Sequence, residues 1–142
     1  MVLPSVHKVF SEDETGILAG KFSTIIKPGD VIVLNGNLGS GKTFFIKKLL
    51  KSFNVDSASS PTFALVNEYS GDLKFYHFDF YRIEQVREIY DIGFDEYMED
   101  DKAVKFIEWG ELFPSVLPKR RTEIQITLDK DFNREFSFKK YE

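Results

Sequence analysis

The sequence predicts an α/β fold in which a mixed sheet with parallel core strands is flanked by helices and carries antiparallel hairpins. Three observations predict this fold class. An apolar segment, Val31–Asn35, leads into a glycine-rich loop and then into a segment whose apolar residues recur at helical spacing. Two pairs of strand-like segments, within 63–80 and 123–140, have the pattern of hairpins. We find no repeat, low-complexity tract or linker, so we expect one domain over residues 1–142.

The composition narrows the class of protein. A chain of 142 residues can bury a core, to which fifteen Phe and six Tyr residues contribute. The absence of Cys excludes a disulfide framework, a thiolate metal site and a cysteine nucleophile. The net charge of −4 argues against a protein that wraps nucleic acid by its own electrostatics. No stretch resembles a membrane span or a secretory leader, so we expect a soluble cytoplasmic protein without membrane contact.

The chain begins with a predicted strand and an amphipathic helix. Residues 6–10 are strand-like, and Ser11 and Glu14 have the spacing of a capping box, which satisfies backbone N–H groups at a helix start. The predicted helix has one apolar face, formed by Leu18, Phe22, Ile25 and Ile26. Residues 27–30 contain Pro and Gly and end it. Val31–Asn35 follows and is apolar on both faces, which is typical of a central, covered strand.

The loop after this strand has the pattern G-x-x-x-x-G-K-T, which predicts a phosphate-binding loop. Its glycines permit backbone angles that are closed to other residues, so successive N–H groups can turn inward around an anion. Lys42 would reach the β- and γ-phosphates of a nucleotide, and the Thr43 hydroxyl would bind a magnesium ion. The phosphates would lie at a helix N-terminus, where unpaired N–H groups favour negative charge. The residues that we expect to bind the nucleotide here are Gly36, Asn37, Leu38, Gly39, Ser40, Gly41, Lys42 and Thr43.

The middle of the chain predicts a hairpin followed by a helix. Residues 63–69 and 73–80 have the pattern of two antiparallel strands joined by a short turn. Residues 84–92 have the composition of a helix that Gly93 would end. A short turn is expected at 94–98.

The last part of the chain predicts three more strands. Residues 103–109 form a largely apolar segment with an acidic residue near its end. Residues 123–128 and 134–140 alternate apolar with polar side chains, as in a terminal hairpin. The densest basic run, Lys-Arg-Arg at 119–121, precedes this hairpin. We interpret it as a solvated loop and keep a local charged patch as the alternative.

Two acidic residues that follow apolar strands complete the predicted site. They are Asp79 and Glu108. In an open α/β sheet the carboxyl ends of the parallel strands meet at the ligand crevice, so both carboxylates would be directed at the phosphates. One would bind or orient magnesium and the other would position the attacking water, and the sequence leaves open which does which. The alternatives are that Asp79 caps the following helix and that Glu108 is a surface charge.

Three further residues near these motifs each have two interpretations. His77 shares a strand face with Asp79 and is more often a packing residue with a hydrogen bond than a catalyst. Trp109, the only Trp, is either a core residue or a partner contact. Thr62 ends a Ser-Pro-Thr segment where nucleotide switches place a threonine that senses the γ-phosphate and its magnesium, although a simple proline turn fits equally well.

Four motifs together resemble the bacterial TsaE (YjeE) ATPases. In chain order they are the loop at 36–43, Ser-Pro-Thr-Phe at 60–63, His-Phe-Asp-Phe-Tyr-Arg at 77–82 and Ile-Glu-Trp at 107–109. Their joint occurrence is far more specific than the phosphate loop alone. The resemblance covers residues 10–111, and the closing hairpin carries no matching motif.

The resemblance implies an ATPase in tRNA modification. It implies that the chain binds ATP or ADP with Mg²⁺ and hydrolyses ATP slowly by itself. It also implies support of the TsaD–TsaB complex in forming N6-threonylcarbamoyladenosine at adenosine 37 of tRNA, with the tRNA contacted mainly through these partners. It assigns the metal to Thr43 and Glu108, makes Asp79 important for hydrolysis beside Lys42, and gives the segment around Thr62 a switch-like part.

Two other functions compete with this one. A small-molecule kinase would share the loop but should carry an arginine-bearing lid, and Arg82 and Arg87 are the only arginine pair near the predicted site. A non-catalytic module, in which nucleotide sets the shape of a partner surface, would have the same binding residues as a slow ATPase. A GTPase is disfavoured because the sequence lacks the Asn-Lys-x-Asp motif that reads guanine. The sequence leaves the adenine pocket and the oligomeric state unassigned.

Overall fold

A seven-stranded mixed sheet forms the centre of the computed structural model, which describes residues 1–55 and 65–142. The strands are β1 Ser5–Val9, β2 Val31–Asn35, β3 Val66–Ser70, β4 Lys74–Asp79, β5 Ala103–Glu108, β6 Arg121–Leu128 and β7 Arg134–Tyr141. Their order across the sheet is β1-β7-β6-β2-β5-β4-β3. The strand β2 is therefore internal and its first four residues are buried, as its two apolar faces predicted.

The strand directions confirm the predicted mixed sheet. The central strand β2 pairs in parallel with β5 and with β6, and β4 pairs in parallel with β5. The pairs β1–β7, β6–β7 and β3–β4 are antiparallel. The last two are the predicted hairpins. The predicted start of β3 at 63 and the Thr62 segment lie outside the described residues.

Two helices cover one face of the sheet. The helix α1, Glu12–Ser23, has the predicted cap, in which the Ser11 side chain accepts a backbone N–H from the first turn at 3.1 Å. The helix α2, Lys42–Lys51, follows the glycine-rich loop and packs against α1. The rings of Phe45 in α2 and Phe136 in β7 have centroids 5.1 Å apart. Because Phe45 lies in the first turn of α2, this packing holds the end of the helix that adjoins the loop.

Two short helices cover the other face, where the sequence predicted one helix and a turn. The helix α3, Val86–Asp91, begins two residues later than predicted, and the expected break occurs at Gly93, which has φ 82°. The prediction of a turn after it was wrong, because Phe94–Glu99 forms a fourth helix, α4. The Phe94 ring packs edge-on against Phe78 in the core with centroids 5.1 Å apart, which draws this segment onto the sheet. Among the described helices none has the length and hydropathy to span a bilayer.

The carboxyl ends of β2, β4 and β5 meet at one edge of the sheet. The register sets Glu108 of β5 opposite Asp79 of β4 on one side and opposite Leu34 of β2 on the other. The two acidic residues that the sequence singled out are therefore neighbours. They lie beside the loop that leaves β2, as expected for parallel strands.

Candidate functional site

The glycine-rich loop, residues 36–43, joins the end of β2 to the start of α2. Gly41 is the N-cap of α2 and has φ 105°, a backbone region that L side chains rarely adopt. Gly36 is required for space, since a Cβ there would lie 2.5 Å from Ser40 Oγ and 2.8 Å from the Ile126 carbonyl oxygen. These two glycines let the loop fold back on the start of α2. The first N–H groups of that helix have no partner within the helix itself.

Lys42 is the first residue of α2, and its side chain is buried. Its ammonium donates to the Gly36 carbonyl oxygen at 2.6 Å and lies 3.5 Å from the centroid of the Trp109 ring. Burial lowers the pKa of Lys42, and three nearby carboxylates, that of Glu111 foremost, act in the opposite direction. The lysine is therefore folded across the loop, held by one carbonyl group and one aromatic ring.

A series of hydrogen bonds links Thr43, Glu108 and His77. The Thr43 hydroxyl lies 3.1 Å from each carboxylate oxygen of Glu108. His77 Nε2 lies 2.5 Å from Glu108 Oε2, and both of these side chains are buried. His77 thus has a hydrogen bond within the packed sheet, the interpretation that the sequence favoured. The imidazole holds the Glu108 carboxylate in the orientation that faces Thr43.

Asp79 lies at the end of β4, beside Glu108. Its carboxylate accepts the backbone N–H of Tyr81 at 3.0 Å. Burial raises the pKa of Asp79, while this hydrogen bond lowers it and the charge of Glu108 raises it further. The N-cap of α3 is Gln85, so Asp79 does not cap that helix. Glu108 is 3% exposed, which also excludes its alternative as a surface charge.

A cavity of about 280 Å³ lies in front of these residues. It is lined by residues 38–44 of the loop and α2, by the two acidic side chains, and by Tyr81 and Trp109. The centroids of the Tyr81 and Trp109 rings are 4.9 Å apart, and Tyr81 is half-exposed. The two aromatic rings therefore form one wall of the cavity, with Trp109 over the ammonium of Lys42.

The oxygen atoms of Thr43 and Glu108 fit the ligand preference of a magnesium ion. Mg²⁺ takes oxygen ligands and usually keeps water and phosphate oxygens in its shell, so one or two protein groups suffice. Over residues 1–55 and 65–142 no cluster of three or more His, Asp or Glu side chains is arranged to hold a metal. A metal ion here would need oxygens from a ligand or from water. Thr62, which the sequence suggested as a sensor of this metal, lies outside the described residues.

The sequence motifs did not predict that Arg134, the first residue of β7, contacts the glycine-rich loop. Its Nε donates to the Ser40 carbonyl oxygen at 2.8 Å, although the two residues are 94 positions apart. The prediction that Arg82 and Arg87 are the arginine pair near the site overlooked this contact, and both of those side chains are exposed. No local motif could have identified Arg134, because its contact with the loop depends on which strands lie next to β2.

The basic run at 119–121 lies at the opposite edge of the sheet, where β6 begins. Lys119 and Arg120 are exposed, as expected for a solvated loop. Arg121 forms an ion pair with Glu123 at 2.9 Å and donates to the Pro118 carbonyl oxygen at 3.0 Å. The run is therefore separated from the glycine-rich loop by the length of β2.

The chain matches one protein family. The model of this family, described as threonylcarbamoyl adenosine biosynthesis protein TsaE, matches residues 9–136. A relative from Rickettsia typhi, named tRNA threonylcarbamoyladenosine biosynthesis protein TsaE, is 36% identical over 138 residues, which are 95% of this chain and 94% of the relative. A relative of the same name from Bacillus subtilis is 38% identical over 133 residues, 92% of this chain and 82% of the relative. The crystal structure of Bacillus subtilis YdiB superposes with a TM-score of 0.81 at 32% identity, over 100% of this chain and 88% of YdiB.

Proposed function

The chain belongs to the TsaE family of tRNA threonylcarbamoyladenosine biosynthesis proteins, and we propose that its part in this process is that of an Mg²⁺-dependent ATPase. The observation that carries the proposal is the position of Lys42. Its buried ammonium lies at the N-terminus of α2, next to the Thr43–Glu108 pair. A helix N-terminus, a lysine and a hydroxyl–carboxylate pair are the groups that nucleotide phosphates and their magnesium require.

In this proposal residues 36–43 bind the phosphates of ATP or ADP. The N–H groups at the start of α2 favour an anion. Lys42 would exchange the Gly36 carbonyl oxygen for a phosphate oxygen, which turns a hydrogen bond to a neutral acceptor into a stronger one to a charged acceptor. The lysine would need only a short movement, because its side chain already lies across the loop.

Thr43 and Glu108 would hold the magnesium ion, which when bound neutralises charge on the β- and γ-phosphates. Asp79 would then be the residue that orients the attacking water. Both carboxylates line the cavity, but Glu108 is already engaged by the side chains of Thr43 and His77, whereas Asp79 accepts a single backbone N–H, that of Tyr81, within the described residues. Because burial raises the pKa of Asp79, it would accept a proton more readily than an exposed aspartate. Lys42, Asp79 and Glu108 are thus the side chains on which hydrolysis would depend.

We further propose that this ATPase supports the TsaD–TsaB complex and meets tRNA mainly through these partners. Family membership supports the pathway. The net charge of −4 supports indirect contact with tRNA, because an acidic protein gains little from general attraction to phosphates. The modification of tRNA would place this work in the cytoplasm.

The test is ATP hydrolysis by the purified chain with Mg²⁺, alone and with TsaD–TsaB added. We expect slow hydrolysis that the pair stimulates, and loss of both rates in Asp79→Asn. The matched control is Asp95→Asn, an exposed aspartate in α4, which should behave as wild type.

Three other outcomes would contradict this proposal. Failure to bind ATP or ADP would exclude a nucleotide site. Binding without turnover, even in the presence of the pair, would make the chain a non-catalytic switch. Transfer of phosphate from ATP to a small acceptor would make it a kinase.

A further inference from the structure

The closing hairpin brings together basic residues that are far apart in the sequence. Its strands β6 and β7 are antiparallel, and their register sets Thr122 opposite Lys140, so the start of β6 lies beside the end of β7. Five basic residues, which we call the basic patch, lie in these two segments: Lys119, Arg120, Arg121, Lys139 and Lys140. Residues 119–121 and 139–142 contain one acidic residue, Glu142, whereas the whole chain has a net charge of −4. The patch is therefore a basic region on an acidic protein.

A cavity of about 380 Å³ lies beside the basic patch. It is enclosed by the loop that precedes β2, the start of β6 and the end of β7, at the edge of the sheet opposite the glycine-rich loop. Arg120, Arg121 and Lys140 line it. Among the described residues that line it the only acidic one is Asp30, whose carboxylate accepts the backbone N–H of Lys27 at 2.8 Å. The cavity thus has room for an anionic group and an excess of positive charge around it.

Arg121 is held in place by the protein itself. Its Nη1 donates to the Pro118 carbonyl oxygen at 3.0 Å, and its Nη2 forms an ion pair with Glu123 at 2.9 Å. The carbon of its guanidinium lies 4.5 Å from the centroid of the Tyr141 ring, and the Lys139 ammonium lies 5.0 Å from the same centroid. Arg121 and Tyr141 therefore join the ends of the two strands and fix the position of the patch.

The other four basic residues present their charges to solvent. Lys119, Arg120, Lys139 and Lys140 are all exposed. Within residues 1–55 and 65–142, no carboxylate lies within 4 Å of the charged groups of Lys119, Arg120 or Lys139. Lys140 pairs with Glu142 at 3.4 Å, but both side chains are more than half exposed, and such pairs are weak. The four charges are therefore available to an incoming anion.

Phosphates of RNA suit this patch better than the carboxylates of a protein partner. Protein interfaces gain most of their affinity from buried aromatic and arginine anchors, and exposed charges at their rim contribute little. RNA gains most of its affinity from contacts of Lys and Arg with phosphates, and the exposed charges of the patch are of this kind. The chain also belongs to a family that acts in tRNA modification.

The acidic net charge of the chain is compatible with such a contact. At physiological ionic strength, charges are screened over about 8 Å, so distant carboxylates oppose a local contact only weakly. The patch lies at the edge of the sheet opposite the glycine-rich loop, so a nucleotide and RNA could be bound at the same time.

We propose that the basic patch is a contact site for the phosphate backbone of RNA, through which this chain touches tRNA directly. The inference goes beyond the proposed ATPase and does not depend on it. A few exposed cations give weak, salt-dependent binding that is independent of base sequence, so this contact adds to those that partner proteins make. The basic run that precedes β6 thereby has a function as well as a place in a solvated loop.

The test measures the Kd of a fluorescently labelled, unmodified tRNA for the full chain by anisotropy, at salt concentrations from about 50 to 200 mM. The variant Arg120→Gln/Lys140→Gln removes two exposed charges that line the cavity. The matched control, Lys47→Gln/Lys51→Gln, removes two exposed lysines of α2 and changes the net charge equally. Polyglutamate and inorganic phosphate serve as the alternative ligands. Thermal unfolding shows whether each variant is folded, and ATP hydrolysis by the same samples tests the proposed function separately.

We expect Arg120→Gln/Lys140→Gln to bind tRNA about tenfold or more weakly than wild type at the lowest salt concentration. The slope of log Kd against log salt concentration should fall by about 1.5, because two phosphate contacts are lost. The control should stay within about twofold of wild type in affinity. Hydrolysis of ATP should be the same in both variants as in wild type. If the double variant does not fold, Arg120→Gln alone should lower the slope by about half as much.

Four outcomes would overturn this inference. Wild type that does not bind tRNA, or binds it without salt dependence, would exclude a phosphate contact. An equal loss of affinity in the lysine control would mean general attraction without a site. Polyglutamate bound as tightly as tRNA would assign the patch to an acidic protein partner. Saturable binding of inorganic phosphate without binding of tRNA would assign it to a small anion.

Discussion

Two lysines are buried within residues 1–55 and 65–142, and their ammonium groups lie at opposite ends of helices. Lys42 is the first residue of α2, whereas Lys105, in β5, reaches the C-terminal end of α4. The Lys105 ammonium donates to the carbonyl oxygen of Met98 at 3.3 Å and to that of Asp100. Burial lowers the pKa of both lysines. Neither burial nor the direction of the pKa shift separates them.

The helix end that each lysine faces distinguishes the roles of the two lysines. Carbonyl groups at a helix C-terminus favour a cation, whereas N–H groups at an N-terminus favour an anion. Lys105 is a partner for the last carbonyl groups around α4 and needs no ligand. Lys42 lies at the end that disfavours a cation, so a phosphate bound there would improve its surroundings. A buried lysine therefore indicates a binding site only when the groups around it favour an anion.

The largest expected effect is that of Lys42→Ala. ATP hydrolysis should fall by about 100-fold or more, because the ammonium that would bind the phosphates is lost. ADP with Mg²⁺ should no longer raise the Tm of the variant. The free energy of unfolding without nucleotide should stay within about 1 kcal/mol of wild type, since the lost hydrogen bond to Gly36 and the removal of a buried charge act in opposite directions.

The matched control for this prediction is Lys47→Ala, an exposed lysine in the same helix. It should keep wild-type hydrolysis and the wild-type response of Tm to ADP. Hydrolysis at the wild-type rate in Lys42→Ala would contradict the interpretation of Lys42 as the lysine that binds phosphate.

The second-largest effect is expected for Glu108→Gln. This substitution removes a negative charge, whereas Lys42→Ala removes a positive one. Thr43 and His77 would keep a polar partner, but a neutral amide is a poorer magnesium ligand than a carboxylate. The Mg²⁺ concentration for half-maximal hydrolysis should rise by about tenfold or more, with nucleotide binding partly retained. Glu96→Gln, which changes an exposed carboxylate in α4, is the control. An unchanged magnesium titration in Glu108→Gln would assign the metal to Asp79.

The loop and the two acidic residues could be predicted because their signals are local. The pattern G-x-x-x-x-G-K-T specifies a strand before it and a helix after it, and β2 and α2 stand in those places. Asp79 and Glu108 each end an apolar strand, and the carboxyl ends of parallel strands lie at the same edge of the sheet whatever the order of the strands. The fold class followed from the same periodicities.

The remaining contacts could not be predicted because they depend on which strand lies beside which. The His77–Glu108 hydrogen bond needs β4 next to β5, and the contact of Arg134 with the loop needs β6 next to β2. Alternation along a strand determines which face a side chain occupies, but not the neighbour across the sheet. The helix α4 was missed for a related reason, since the packing of Phe94 against β4 holds it in place.

Lys105→Met tests whether Lys105 serves only to stabilise the fold. The substitution should change the free energy of unfolding but not the binding of nucleotide. It leaves the carbonyl groups of Met98 and Asp100 without their buried donor, so the free energy of unfolding should fall by about 1–3 kcal/mol. Affinity for ADP should not change, because Glu108 lies at the far end of β5. Denaturant unfolding and calorimetric titration measure the two quantities, with exposed Lys102→Met as the control. A stability equal to wild type would show that Lys105 is not the partner that these carbonyl groups need.

The smallest expected effect is a pH dependence of the difference in unfolding free energy between wild type and Lys105→Met. Burial lowers the pKa of Lys105 in the folded protein below the ordinary value of 10.5, against the opposing carboxylates of Asp100, Asp101 and Asp30. Between the folded pKa and the unfolded value the unfolded state binds more protons, so the contribution of Lys105 to stability rises with pH across that window. Subtracting Lys105→Met from wild type isolates this contribution, because Lys42 titrates in both proteins. The difference in unfolding free energy should be smallest at neutral pH and grow as the pH approaches 10.5, and a difference that stays constant or shrinks would contradict the assignment.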